Sequence, residues 1–166
     1  MKWYLVLSAL MITSCNSGAQ KTDTVKESNT IIKSDEEWRS ILTPSQYAVC
    51  RLKGTEPAGS GKYDKFYEKG YYRCVACGAR LFNSEKKYDS GSGWPSFYDV
   101  HRKGTIAFHK DTSYGMTRVE VTCASCGAHL GHVFEDGPDP TGLRYCINSL
   151  ALGFVSDADT MHTERK

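Results

Sequence analysis

The chain has 166 residues, a length that suits one compact domain with a tail and allows a substantial buried core. Its formal net charge is +2, with acidic and basic residues interspersed, so the charge pattern does not predict nucleic acid as a partner. Glycines and aromatic residues are frequent and long helical periodicities are scarce, which favours a mainly β domain. Seven cysteines are too many to be incidental, so their spacing requires an explanation.

The N-terminal segment predicts an export signal with a lipid anchor. Lys2 precedes an apolar run, Trp3 to Ile12, that is too short to span a bilayer and is typical of a signal peptide. The next residues, Thr13-Ser14-Cys15, complete a pattern that resembles the bacterial lipobox, in which the cysteine is lipidated and becomes the new N-terminus. We therefore expect a signal peptide at 1–14 and a lipidated Cys15 on a flexible tether at 15–33. The alternative is an ordinary secretory signal with an incidental cysteine.

This signal predicts a membrane-anchored lipoprotein of the cell envelope, outside the cytoplasm on the periplasmic side. One folded domain is predicted at 34–157, followed by a short tail at 158–166. We expect it to act as a monomer.

Two helix start signals open the domain. Ser34 and Glu37 form a capping-box pattern, and Thr43 is followed by Pro44 at the first helical position. Farther along, short strands are predicted between turns, at Tyr71–Cys74, Thr105–His109, Met116–Cys123, His129–Phe134 and Leu143–Asn148. This order predicts a small antiparallel β-barrel or two rolled sheets, with short N-terminal helices.

Within Met116–Cys123, apolar and polar residues alternate. A period of two would turn Val119 and Val121 toward the core.

Two copies of a Cys-x-x-Cys-Gly-Ala motif form an internal repeat, and their cysteines are Cys74, Cys77, Cys123 and Cys126. Each copy resembles one knuckle of a zinc ribbon, in which two thiolates of one turn bind the same ion. Four thiolates leave no open coordination position, so the sequence predicts one structural Zn²⁺ that staples distant strands. A redox CxxC, a pair of disulfides or an iron site are the alternatives. Outside this repeat and the anchor, the remaining cysteines are Cys50 and Cys146.

The segment around Cys146 predicts a reactive strand. A period of two places Arg144, Cys146 and Asn148 on one face, so a guanidinium and a carboxamide accompany the thiol. Arg144 would favour the thiolate, which is the nucleophilic form of cysteine. A buried, inert cysteine beside a structural arginine is the alternative.

Two histidines lie between the second CxxC and this strand. His129 and His132 would face opposite sides of a regular strand, but a turn or bulge at Gly131 could bring both to one site. Two imidazoles close to a reactive cysteine favour general acid chemistry.

A glycine-rich turn, residues 90–93, leads into Trp94 and Phe97. These rings are either core residues or the wall of a pocket for a methyl-sulfur group, which packs favourably on aromatic rings.

The motifs occur in an order that closely resembles the methionine-R-sulfoxide reductase (MsrB) family, over about residues 36–155. The matching runs include Leu42-Thr43-Pro44, Gly54-Thr55-Glu56, Gly93-Trp94-Pro95-Ser96-Phe97, His129-Leu130-Gly131-His132-Val133-Phe134 and Arg144-Tyr145-Cys146-Ile147-Asn148-Ser149. The family fold is a small β-barrel, which agrees with the strand prediction.

The resemblance implies a role for each matching residue. Cys146 aligns with the catalytic cysteine, and the polar residues that bind and protonate the sulfoxide oxygen align with His129, His132 and Asn148, with His132 as the expected proton donor. On the substrate side, the resemblance implies Trp94 against the methyl group with help from Phe97, and Arg144 lies on the same predicted face as Cys146. The CxxC cysteines align with the ligands of the zinc-bearing members.

The implied substrates are oxidised proteins or peptides that carry methionine-R-sulfoxide, and the implied reductant is a thioredoxin-like protein or another thiol.

At one position the sequence departs from many members of the family. They carry a resolving cysteine in the glycine-rich turn, where this chain has Ser92. Cys50 is the remaining domain thiol and therefore a candidate resolving cysteine, with a plain core cysteine as the alternative.

Two other functions stay open at the level of sequence. The domain could be a zinc-ribbon binding module that has lost catalysis, or a thiol–disulfide oxidoreductase that uses one CxxC free of metal.

Overall fold

The structure, a computed structural model, describes residues 30–159. The predicted signal peptide and Cys15 lie outside the described residues, as do most of the predicted tether and tail. Across residues 30–159, no helix is both long and apolar enough to cross a membrane.

In the described part of the chain, two short helices precede the strands, α1 at Asp35–Ile41 and α2 at Pro44–Cys50. Both begin at the start signals predicted from the sequence. In the capping box of α1 the Glu37 amide donates to the Ser34 hydroxyl and the Ser34 amide donates to the Glu37 carboxylate, and α2 also begins with a capping box. Helices of this length are marginal in isolation, so packing must stabilise them. The buried Trp38 of α1 and Tyr47 of α2 provide that packing.

Within residues 30–159, nine strands form two antiparallel sheets, which confirms the mainly β prediction. The strands are β1 Gly70–Cys74, β2 Arg80–Asn83, β3 Lys87–Tyr88, β4 Ser96–Phe97, β5 Ile106–Asp111, β6 Arg118–Cys123, β7 His129–Phe134, β8 Arg144–Ile147 and β9 Leu152–Ser156. One sheet has the order β2-β1-β9 and the other the order β3-β4-β8-β7-β6-β5. Neither sheet closes on itself within the described residues, so the architecture is two sheets and not a closed barrel.

An aromatic cluster joins the two sheets. Phe82 of β2 stacks on Phe97 of β4 with ring centroids 4.4 Å apart, and Tyr72 of β1 meets Phe97 edge-on at 5.0 Å. All three side chains are completely buried. Burial of large rings supplies much of the hydrophobic stabilisation of a small domain, and edge and offset contacts add to it.

The predicted inward orientation of Val119 is wrong, whereas that of Val121 is confirmed. Val121 is fully buried, but Val119 is 42% exposed. Val119 pairs with Lys110, one position from the end of the β5–β6 ladder, and the nearby Met116 is also exposed. Between the two valines, Glu120 occupies a buried position because its carboxylate has charged partners. Simple alternation cannot indicate a buried, ion-paired carboxylate.

The four CxxC cysteines meet between the two sheets and form a zinc site. Cys74 and Cys77 belong to the β1–β2 hairpin, and Cys123 and Cys126 belong to the β6–β7 hairpin. Their sulfur atoms all lie within 4.8 Å of one another, with Cys74–Cys126 at 3.7 Å and Cys77–Cys123 at 3.6 Å. A tetrahedral zinc with Zn–S bonds of about 2.3 Å requires sulfur–sulfur distances of about 3.8 Å.

The backbone of both knuckles also suits a metal site. Gly78 and Gly127, which follow the second cysteine of each CxxC, have φ of 79° and 70°. Glycine adopts this left-handed conformation without the steric cost of a Cβ atom. The metal would therefore cross-link two hairpins from different sheets, as the repeat predicts.

Removal of zinc is expected to destabilise the whole domain. Structural zinc sites contribute on the order of 10 kcal/mol of binding free energy to folding. Treatment with a strong chelator should lower the thermal midpoint markedly, and Cys77→Ser should reduce zinc content below one ion per chain. Cys146→Ser, which alters a cysteine outside the cluster, should keep full zinc content. Undiminished thermal stability of metal-free protein would contradict a structural role.

Candidate active site

Strands β7 and β8 bring His132 and Cys146 together. Their register places His132 directly opposite Cys146 and Gly131 opposite Ile147. A Cβ atom added to Gly131 would lie 2.1 Å from the carbonyl oxygen of Cys146. A glycine is therefore required at position 131 for the two strands to approach this closely.

A β-bulge brings the two histidines to one side. Val121 of β6 pairs with Gly131, but the next residue, Thr122, pairs with His129, so Leu130 is the extra residue of β7. The rings of His129 and His132 consequently lie 5.5 Å apart in an edge-on arrangement. The sequence left open a turn or bulge at Gly131; the bulge lies one residue earlier, at Leu130, and it cancels the alternation that would separate the two side chains.

A cavity of about 110 Å³ opens above Cys146. Four residues named from the sequence line it, namely Trp94, His132, Cys146 and Asn148. The other lining residues are Thr55, Arg118, Gly131 and Phe134. The wall thus combines two aromatic rings with a thiol and an imidazole, and none of the zinc-site cysteines lines it.

Three other residues named from the sequence lie next to this cavity or away from it. His129 lines an adjoining basin, and Arg144 lines a groove on the side of Ser92. Phe97 does not reach the cavity: it pairs opposite Tyr145, is completely buried and packs in the core. Phe134, two residues after His132 on β7, supplies the second ring of the cavity instead.

Glu56 holds the floor of the cavity in place. Its carboxylate accepts hydrogen bonds from the amides of Ser149 at 2.6 Å and Leu150 at 2.9 Å. Its amide donates to the Asn148 side-chain oxygen at 3.1 Å, and its carbonyl accepts from the Trp94 indole at 3.0 Å. One buried residue therefore orients two cavity residues. The sequence contains Glu56 in a family-like run, but nothing local indicates these long-range contacts.

The Cys146 thiol is controlled by opposing effects. Burial raises its pKa above the ordinary value, whereas a contact with Ser92 and the charge of Arg144 lower it. The Ser92 hydroxyl oxygen lies 3.7 Å from the Cys146 sulfur. Arg144 acts in the predicted direction, but burial outweighs it. Asp136 holds the guanidinium by two hydrogen bonds of 2.8 Å, and the group lies over the Phe134 ring.

Each histidine is bound to a carboxylate. His129 Nδ1 lies 2.7 Å from Glu120, which also pairs with Lys53 at 2.7 Å. His132 Nε2 lies 2.7 Å from Asp111. The pKa of His129 is lowered, mainly by burial. The sequence did not predict these two carboxylates. They reach the imidazoles only because their strands become neighbours in the folded sheet.

Cys50 lies on the zinc side of the molecule. It is buried in α2, and the adjacent Arg51 donates a hydrogen bond to the Cys126 carbonyl at 3.1 Å. Burial raises the pKa of Cys50 to about 12, which opposes nucleophilic attack at neutral pH. The structure thus brings Ser92, and not Cys50, into contact with Cys146.

Known proteins of one family are similar to this chain. Residues 42–156 match the SelR domain family. A peptide methionine sulfoxide reductase MsrB of Methanosarcina mazei is 58% identical over 132 residues, which cover 80% of this chain and 94% of that protein. The MsrB of Leptospira interrogans is 59% identical over 125 residues, covering 75% of this chain and 95% of that protein. The MsrB of Pseudomonas entomophila is 59% identical over 122 residues, with coverage of 74% and 93%.

Two functions left open by the sequence do not agree with these findings. Both CxxC pairs belong to the four-cysteine cluster, so neither is free for thiol–disulfide exchange. A binding module without catalysis would not need a thiol, a carboxylate-bound imidazole and two rings around one cavity. With identities of this size over most of the domain, the chain belongs to the methionine-R-sulfoxide reductase (MsrB) family of oxidoreductases.

Proposed function

We propose that Cys146 reduces methionine-R-sulfoxide by direct attack on the sulfoxide sulfur. The observation that carries this mechanism is the pairing of Cys146 opposite His132 on the wall of one small cavity. The thiolate, one proton and the sulfoxide give a Cys146 sulfenic acid and methionine. The cysteine sulfur loses two electrons, the methionine sulfur gains two, and the oxygen leaves the substrate with the proton.

His132 supplies the proton to the sulfoxide oxygen in this proposal. It is the histidine that lines the Cys146 cavity, whereas His129 lies in the adjoining basin. Asn148 is held by the Glu56 amide and by the Leu130 carbonyl, and it presents its carboxamide on the cavity wall. Asn148 thus helps to bind the oxygen, and His129, whose ring lies edge-on to that of His132, helps to keep His132 oriented.

The methyl-sulfur end of the substrate packs against Trp94 and Phe134 in this proposal, since sulfur packs favourably on aromatic rings. A cavity of about 110 Å³ holds the end of one side chain and leaves the peptide backbone outside. We therefore propose oxidised proteins and peptides as substrates. Arg144 lines the groove beside Ser92, and its charge stabilises the Cys146 thiolate.

Cys146→Ser is expected to abolish reduction of the R epimer, because the serine hydroxyl is a far weaker nucleophile than a thiolate. The measurement supplies both epimers of a methionine-sulfoxide peptide with a chemical reductant. Wild-type protein should reduce the R epimer and leave the S epimer intact, while His132→Gln should slow reduction by about 10²- to 10⁴-fold. Zinc content serves as the folding control for both variants. The proposal would be refuted if wild-type protein reduced neither epimer.

Regeneration of Cys146 is proposed to use an external thiol directly. In the first step, that thiol attacks the sulfenic acid, a mixed disulfide forms and water leaves. A second thiol then releases Cys146 and takes up the disulfide bond. The position nearest Cys146 in the glycine-rich turn is Ser92, which cannot form a disulfide. The alternative is that Cys50 resolves the sulfenic acid after α2 rearranges.

A peptide map after one turnover without external thiol distinguishes these routes. In wild-type protein, we expect Cys146 to remain a sulfenic acid that dimedone labels. A Cys50–Cys146 disulfide, absent in Cys50→Ser, would contradict direct regeneration. Ser92→Cys places a thiol at the 3.7 Å contact and should convert the product into an intramolecular disulfide with Cys146.

The N-terminal segment leads to a proposal about location. We propose a monomeric lipoprotein of the cell envelope, joined to a membrane through lipidated Cys15 and a tether. Support comes from the apolar run followed by a lipobox-like pattern in the sequence. The reductant would then be an envelope thiol carrier, such as a thioredoxin-like protein.

Cys15→Ala is expected to abolish incorporation of labelled fatty acid and to move the mature protein out of the membrane fraction. Fractionation of cells that express either version, followed by detection of the domain, measures this change. As a matched control, Cys50→Ala alters a cysteine of the folded domain and should leave acylation unchanged. Equal acylation of Cys15→Ala and wild-type protein would contradict the predicted anchor.

A further inference from the structure

The two active-site histidines differ in their surroundings. His129 is 3% exposed, and its Nε2 is buried with no hydrogen-bond partner among residues 30–159. The His132 side chain is 12% exposed and borders both the Cys146 cavity and the adjoining basin. An imidazolium is costly where burial is deepest, so His129 is suited to stay neutral. The charged, proton-donating role therefore falls to His132, provided that a partner stabilises its cation.

Asp111 is the partner in contact with His132. It ends β5, and its Oδ2 lies 2.7 Å from His132 Nε2 and 2.7 Å from Arg118 Nη2. Its Oδ1 accepts a hydrogen bond from the Ser113 amide at 2.9 Å. Both carboxylate oxygens are thus held, one by the turn and the other by the imidazole and guanidinium.

The hairpin between β5 and β6 is built to keep this carboxylate in place. Asp111 and Arg118 are opposite partners at the end of the strand pair. The turn between them contains Tyr114 and Gly115, both in the left-handed region with φ of 55° and 71°. A non-glycine residue in that region is uncommon and needs support from the surrounding structure. The position of Asp111 is therefore a property of the hairpin as well as of the imidazole contact.

The contact with Asp111 determines which nitrogen of His132 can act. Hydrogen bonds to its turn, to His132 and to Arg118 lower the pKa of Asp111, so it is a carboxylate at neutral pH and can only accept. His132 Nε2 must therefore carry a proton and donate it to Asp111. Nδ1 is the ring nitrogen left to meet the substrate, and it can donate only when the ring is an imidazolium.

Charged or ionisable groups on β5, β6 and β8 act on His132. Asp111 on β5 favours the imidazolium and Arg118 on β6 opposes it. Glu120 lies opposite His132 on β6, but its carboxylate is bonded to His129 of β7 and to Lys53. Cys146 on β8 faces His132 and would favour its cation when ionised. Asp111 is thus the carboxylate that contacts the ring directly.

We propose that Asp111 is a positioning residue for sulfoxide reduction, which holds His132 through Nε2, directs Nδ1 to the substrate oxygen and stabilises the protonated ring. This inference deepens the proposed function and rests on it. Asp111 borders the basin and not the Cys146 cavity, so it acts through His132. Its loss should therefore affect the reaction step more than substrate binding.

The first test compares Asp111→Asn with Asp99→Asn. Asp99 is a matched control away from the cavity, because one oxygen pairs with Lys86 at 2.6 Å and the other accepts from the Val100 amide at 2.8 Å. Asp111→Asn should lower kcat at neutral pH by about tenfold or more with little change in KM. In Asp111→Asn, the fall of the rate with rising pH should begin at a lower pH than in wild-type protein. Asp111→Glu, which keeps the charge, should recover part of the rate, and Asp99→Asn should behave as wild type.

The second test does not depend on turnover. The His132 imidazole is titrated by nitrogen NMR in a Cys146→Ser background, with and without Asp111→Asn. Loss of the adjacent opposite charge should weaken the preference of His132 for the protonated ring and for the Nε2–H tautomer. Thermal midpoint and zinc content show whether each variant is folded.

The outcomes separate the two proposals. An unchanged His132 titration in folded Asp111→Asn overturns the inference, and so does a shifted titration with unchanged kcat. A lower kcat without a change in the pH profile also overturns it, because a merely structural role would give that result. Wild-type protein that reduces no sulfoxide would refute the proposed function, while the titration would still report on the Asp111–His132 contact.

Discussion

Close pairing of β7 with β8 is the contact on which the active site depends. Gly131 allows the backbone of β7 to approach the Cys146 carbonyl, and that approach places His132 directly across from Cys146. A side chain at position 131 would separate the strands and remove the imidazole from the thiol at the same time. The bulge at Leu130 adds the second histidine to the same side. Backbone geometry, rather than a flexible loop, therefore sets the distance between Cys146 and His132.

Burial acts in opposite directions on the thiol and on one of the two histidines of the site. It raises the pKa of Cys146, so less thiolate is present at neutral pH, and it lowers the pKa of His129, so less imidazolium is present there. A site that needs both a thiolate and a proton donor must offset this effect locally. Ser92 and Arg144 do so for the thiol, and we propose that Asp111, in contact with His132, does so for the proton donor. In that proposal, the Asp111 carboxylate offsets the cost that burial of the site imposes on a charged His132.

The sequence predicted those features that depend on local spacing. Capping boxes, most of the longer strands and the four-cysteine cluster follow from residues a few positions apart, and the structure agrees. Features that depend on which strands become neighbours could not be derived in this way. Phe97 faces the core because it pairs opposite Tyr145, and Phe134 takes the cavity position. Glu56 and Asp111 reach the site from distant segments, so no local pattern indicated their contacts.

The zinc site and the active site share one hairpin, which links stability to chemistry. Cys126 belongs to the turn from which β7 starts, and His129 follows three residues later as the first residue of that strand. A metal bound there would fix the start of β7 against the β1–β2 hairpin of the other sheet. The register of β7 in turn decides whether His132 or a neighbour faces Cys146. Four thiolates leave the metal no open coordination position, and none of them lines the Cys146 cavity. The metal would therefore act on catalysis by holding the register of β7, without contacting the substrate.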